Sequence, residues 1–139
     1  MMVVAICSVM LAFPVKDYDE SMVACLEVAA GAMHAGEPPH VLVALSYMES
    51  RLDYDAVSRK GAVGPLQVMP YWLEGACGMV DAGVIAWLYW RQRSITIRTA
   101  LAKYNAGYRP GRRSFRFADR VLNLSSELLV LAEGVSGAD

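Results

Sequence analysis

Cysteine and histidine are scarce in this chain, with three and two copies among 139 residues, and their spacing removes one class of chemistry at once. Cys7, Cys25 and Cys77 lie too far apart for the two-to-four-residue pairs that grip zinc, and His34 and His40 add only two imidazoles. No metal is therefore expected. No glycine-rich phosphate loop or dinucleotide fingerprint is present either, so the chemistry is expected to need no cofactor. Internal repeats and low-complexity segments are lacking, and no apolar run reaches the roughly 20 residues a membrane-spanning helix needs. Charge of one sign is not in excess: the formal net charge is −1, and with 55% hydrophobic residues the chain is placed among globular domains, not disordered ones.

What is present is unevenly distributed. Residues 1–15 are almost wholly apolar and break at Lys16-Asp17. That is the length of a signal-peptide core, though no basic residue precedes it; a buried N-terminal segment is the alternative. Removal of this segment would take Cys7 with it and leave Cys25 and Cys77 as an even pair for a disulfide; free buried thiols are the other reading. Acidic residues crowd the first third (Asp17, Asp19, Glu20, Glu27, Glu37), whereas Arg91 to Arg120 holds nine basic ones. This basic stretch is either a solvated face or a surface for an anionic polymer. It lacks a recognition-helix pattern and interleaved aromatics, so nucleic acid is not expected as a partner.

Turn-forming residues divide the chain into helical lengths, and the expected class is mainly α. A first helix is predicted from about Ser21 to Ala35, capped by Asp19 or Ser21, with Met22, Leu26, Ala29 and Met33 inward and Gly36 ending it. Pro38-Pro39 opens a second, running to about Ser50. Residues 51–70 read as an irregular loop with one short helical turn near Leu66 and Gln67, stopped by Pro70. Further helices are predicted over Val80–Trp90, Ser94–Tyr104 and Phe115–Glu133, the last with Phe117, Val121, Leu124, Leu128 and Leu129 inward. Residues 16–133 form a single domain in this reading, and 134–139 a frayed tail.

One residue contradicts its own position. Glu49 follows Leu45 by four residues and Leu42 by seven, so its carboxylate falls on the helix stripe that should face the core. Burial and the negative end of the helix dipole both disfavour its ionised form. A glutamic acid that keeps its proton near neutrality is what protonation of a glycosidic oxygen requires. Rotation of the side chain to solvent, or a pair with Arg51, would be the non-catalytic alternatives.

The run Ala44-Leu45-Ser46-Tyr47-Met48-Glu49-Ser50-Arg51, then Ser58, then Gly61-Ala62-Val63-Gly64-Pro65-Leu66-Gln67-Val68-Met69-Pro70, closely resembles the catalytic signature of soluble lytic transglycosylases, including phage and secretion-system members. A second block of that family is matched by Ala100-Leu101-Ala102-Lys103-Tyr104-Asn105-Ala106-Gly107, and Phe117-Ala118 with Val121 is a weaker echo. The resemblance spans about Pro39 to Val121. It implies a lysozyme-like fold of the lytic transglycosylase or goose-type lysozyme kind, acting on peptidoglycan glycan strands in the periplasm or cell envelope, delivered by a phage particle or a signal peptide. Partners in a virion, a lysis system or a secretion machine are implied in the same way.

Carried over by position, Glu49 would be the single catalytic acid and base, cleaving between N-acetylmuramic acid and N-acetylglucosamine with formation of a 1,6-anhydro sugar. Glycosidases commonly use two carboxylates, but participation of the substrate's own N-acetyl group lets one suffice. Ser58, Gln67 and Met69 would line the glycan groove, with a turn role the alternative for Ser58; Tyr104 would pack near Glu49 and orient it, and Asn105 would bond backbone or glycan. Gly61 and Gly64 would fold the loop tightly. Asp53 and Asp55 read as turn formers. The chain departs from the family pattern at Pro65, where leucine is commoner, at Tyr54, where proline is frequent, and in a short Tyr71–Gly83 stretch that trims one wall of the groove. A goose-type muramidase adding water, and a non-catalytic wall-binding or assembly module, are the alternatives.

Overall fold

The computed structural model describes residues 2–137. Among them are six α-helices, with no strand beyond isolated bridges: α1 (Met2–Met10), α2 (Tyr18–His34), α3 (Pro39–Ser50), α4 (Met79–Gln92), α5 (Ile97–Ala106) and α6 (Arg112–Gly137). The protein is mainly α. No described helix is long and apolar enough to cross a membrane.

Each helix end follows from local chemistry. Asp17 caps α2 by accepting the Glu20 amide at 3.0 Å, and Asp19 and Glu20 complement the helix dipole in its first turn. At the other end Gly36 takes φ 75°, and the Glu37 amide reaches back to the Ala32 carbonyl at 2.8 Å. Pro39 starts α3 where a missing N–H costs nothing. Ser94, expected to open α5, instead donates its hydroxyl to the Trp90 carbonyl at the end of α4, and Thr96 caps α5 by accepting the Thr99 amide. The last helix starts earlier than predicted, at Arg112, and runs past Gly134 to Gly137; residues 138–139 of the expected tail lie outside the described residues.

The centre of the molecule is α3, whose residues Val41 to Ser46 are all buried. A helix apolar on every side must be surrounded, and α2 and α6 pack directly against it. The inward face of α2 matches the predicted one at Ala29, which is fully buried, and at Met22 and Leu26, which are half-buried against the core, and departs from it at Met33. Ala24, Cys25, Val28, Ala29 and Ala32 are fully buried, while Met33 is 57% exposed. Small residues on that face let α2 approach its neighbours closely, and a methyl group added at Gly31 would already sit 3.2 Å from Val84 Cγ2.

The apolar start forms α1, which lies against α2, α3 and α6 and contributes Ile6, Cys7 and Met10 to the core. The disulfide joins Cys7 to Cys25, with Cα atoms 5.7 Å apart, and not Cys25 to Cys77; Cys77 is free and exposed. The packing of α1 on α2 explains the difference, because it brings Cys7 over the buried face that carries Cys25.

Candidate active site

Glu49 sits in the last turn of α3, half-buried. Burial alone raises its pKa from 4.5 to about 7. No hydrogen bond or ion pair reaches its carboxylate among the described residues, where the only ion pairs are Arg91–Glu37 and Arg98–Asp119. Arg51 places its guanidinium 6.0 Å from the Tyr47 ring centroid. Desolvation without a counter-charge is the condition under which a carboxyl group keeps its proton.

Around this carboxyl group the backbone is held in costly geometry. Arg51 and Leu52, directly after α3, have φ of 56° and 60°, and Gln67 has φ of 49°. Left-handed non-glycine residues of this kind persist only where neighbours over-determine them. Those neighbours are identifiable. Leu52 is fully buried, the Ser50 hydroxyl accepts the Asp53 amide at 3.2 Å, and Asp53 accepts the Asp55 amide at 2.9 Å. Asp53 is therefore a turn former.

The loop between α3 and α4 is tied down at three places. Ser46 and Ser50, one turn apart on α3, both donate to the Pro65 carbonyl, at 2.9 and 2.7 Å. Proline at this position is harmless, because its carbonyl makes the attachment and its missing N–H is not used. Tyr104 of α5 donates to the Leu66 carbonyl at 2.6 Å. Tyr54 donates its hydroxyl to Glu27 of α2. Within the loop Val63 bridges to Val57 and to Val68. A turn does form at Leu66 and Gln67, closed by the Gln67 amide on the Gly64 carbonyl at 3.1 Å, and Pro70 opens a separate 3₁₀ turn, Pro70–Leu73.

The residues expected to line a groove divide into two sets. Gln67, Met69 and Tyr104 come together in one cleft of ≈ 60 Å³, closed by Trp72, Ala86 and Trp90. Glu49 opens instead onto a recess of ≈ 410 Å³ with Tyr47, Met48 and Arg51. The two are linked through Tyr104: its phenol pKa is pushed well above the ordinary value by burial first and by the Glu49 charge second. The Tyr104 hydroxyl hydrogen-bonds Leu66 and not Glu49, so it orients the loop, not the acid directly. Ser58 and Asn105 line neither space. Ser58 accepts the Ala62 amide at 3.0 Å and shapes the turn before Val63; Asn105 is exposed near the end of α5. Both amide protons of Gln67 serve the Ala56 and Gly64 carbonyls, at 3.1 and 3.0 Å, which leaves its carbonyl oxygen to meet a ligand.

Sequence reasoning missed the aromatic rim. Trp72 meets Tyr89 with ring centroids 5.4 Å apart, Tyr89 meets Trp90 at 4.8 Å, and Trp90 meets Tyr108 at 4.8 Å, all edge to face. Tyr71 and Tyr108 are 78% and 65% exposed. Two adjacent aromatic pairs, Tyr71-Trp72 and Tyr89-Trp90, were the available signal. A larger cavity, ≈ 800 Å³ between α2 and α4, is lined by Gly31, Cys77, Val84 and Leu88 among others and does not include Glu49. Size alone does not make it the reactive centre, since it lacks the desolvated carboxyl group.

Comparison with protein-family models, with curated proteins and with solved structures finds no match.

Proposed function

We propose that the protein cleaves the β-1,4 bond of peptidoglycan between N-acetylmuramic acid and N-acetylglucosamine as a lytic transglycosylase on a lysozyme-like fold, with Glu49 as acid and then base. The observation that carries this reading is a carboxyl group raised to about 7 by burial, with no ion-pair partner among the described residues, beside a strained and firmly anchored loop. A group titrating near neutrality is present in both protonation states there, as a residue that must first give and then take a proton requires.

In the proposed reaction the protonated Glu49 donates to the bridging oxygen as the bond to C1 of the muramic acid breaks. The substrate's N-acetyl oxygen stabilises the positive charge at C1. The Glu49 carboxylate then takes the proton of the C6 hydroxyl as O6 bonds to C1, giving a 1,6-anhydro ring and consuming no water. Asp53 is engaged in its turn, which fits a mechanism with one carboxylate. Met69, Trp72 and Trp90 offer apolar faces of the kind that cover the C–H face of a pyranose.

Mass spectrometry of soluble products released from purified peptidoglycan by the wild type and by Glu49→Gln tests the proposal. Anhydro-muropeptides from the wild type and none from the variant are expected. Reducing-end products would mean a hydrolytic muramidase, and no release by folded protein would leave a wall-binding module.

A further inference from the structure

The nine basic residues between Arg91 and Arg120 do not act as one group. Arg91 pairs with Glu37 at 3.4 Å, Arg93 lies 3.6 Å over the Tyr89 ring centroid, Arg98 is bound by Asp119 at 2.7 and 3.2 Å, and Lys103 donates to the Arg93 carbonyl at 2.7 Å. The other five, Arg109, Arg112, Arg113, Arg116 and Arg120, are exposed and have no side-chain partner among the described residues. Arg112, Arg116 and Arg120 recur every four residues on α6, which sets them on one face at roughly 6 Å steps along the axis. The carboxylate nearest them in sequence, Asp119, is already engaged by Arg98.

Two features speak against simple solvation of this row. Arg112 and Arg113 occupy the first turn of α6, where the positive end of the helix dipole disfavours cations. The molecule as a whole carries a net charge of −1, so the row is a local concentration and not a reflection of a basic chain. Its position is also informative: the aromatic rim ends at Tyr108, packed on Trp90, Arg109 is the next residue, and α6 with its arginine row begins at Arg112. A polymer leaving the rim at Tyr108 would meet Arg109 first.

We propose that this arginine row docks the carboxylate groups of the polymer being cleaved, so that the substrate is an anionic, peptide-bearing glycan held outside the reactive cleft by charge. The inference rests on the peptidoglycan reading above. Guanidinium groups suit it because their planar fork matches a carboxylate in a two-point hydrogen bond.

The test measures retention on insoluble peptidoglycan at low and high salt, in a Glu49→Gln background that prevents digestion. The parent is compared with Arg112→Gln/Arg116→Gln/Arg120→Gln and with the corresponding triple Lys variant. We expect retention to fall at least tenfold in the Gln variant and with salt, to survive in the Lys variant, and to fall equally for the parent when the wall carboxylates are converted to amides. Equal retention of the Gln variant, or indifference to amidation, would overturn the proposal. Competition by inorganic polyphosphate but not by polyglutamate would overturn it too, by assigning the row to a phosphate polymer. Failure of the underlying reading shows up separately, as wild-type protein that is retained yet releases no muropeptides.

Discussion

At the scale of single residues, Glu49 and Tyr104 decide the account. The folded Glu49 holds its proton to about pH 7, whereas the unfolded chain releases it near 4.5. Between those values the native state binds the extra proton, so stability falls as pH rises through this window and levels off above it. The cost is on the order of 2 kcal/mol once partial exposure is discounted. Chemical denaturation from pH 4 to 8 should therefore show the wild type losing stability relative to Glu49→Gln, and the variant should be the more stable of the two at pH 8. Tyr104→Phe leaves the Leu66 carbonyl without its donor. A loss of about 1–3 kcal/mol is expected, with a drop in turnover because the loop loses one of its three anchors. Thermal melts and product release measured on one preparation check both. The carboxyl group of Glu49 was legible in the sequence because helical periodicity alone puts it on a core stripe. The shared acceptor of Ser46 and Ser50 was not, because it depends on a carbonyl fifteen to nineteen residues away.

At the scale of elements, α4 and the loop carrying Gln67 act as one unit. Gly83 lets α4 lie flush on Leu66: a methyl group there would come 2.6 Å from Leu66 Cβ, well inside contact distance. Gly83→Ala should destabilise the protein by about 1–3 kcal/mol through overpacking, and it should impair activity more than its stability loss explains, since Leu66 is the residue that Tyr104 holds. Ala at the open, right-handed Gly134 is the control, because no atom lies within 4 Å of its added methyl group. Existence and approximate extent of the helices from α2 onward were readable from periodicity and caps. The inward face of α2 was readable in part: Ala29 is buried and Met22 and Leu26 pack on the core, whereas Met33 is exposed and close packing adds Ala24, Cys25, Val28 and Ala32. Helix starts shifted where a serine had two roles open to it, as Ser94 did by turning back to the Trp90 carbonyl.

At the scale of the molecule, α1 closes the core. Its staple to α2 encloses a separation of 18 residues, for which chain-entropy arguments give about 3 kcal/mol. Cys7→Ser/Cys25→Ser should lower the unfolding free energy by about that amount, read from denaturant midpoints, while Cys77→Ser should leave it unchanged because Cys77 is exposed and unbonded. The pairing could not be read from three cysteines alone, since it depends on where an apolar N-terminal segment packs. The aromatic rim was equally hidden, because Tyr71-Trp72, Tyr89-Trp90 and Tyr108 come from three separate stretches that only the fold assembles.

All of these levels converge on one proton. The most direct measurement is a carboxyl ¹³C NMR titration of protein labelled at glutamate side chains, with the Glu49 signal assigned by its absence in Glu49→Gln. A midpoint near 7 is expected; a midpoint at the ordinary glutamate value, near 4.5, would mean that the carboxyl group is solvated and would contradict its assignment as the acid.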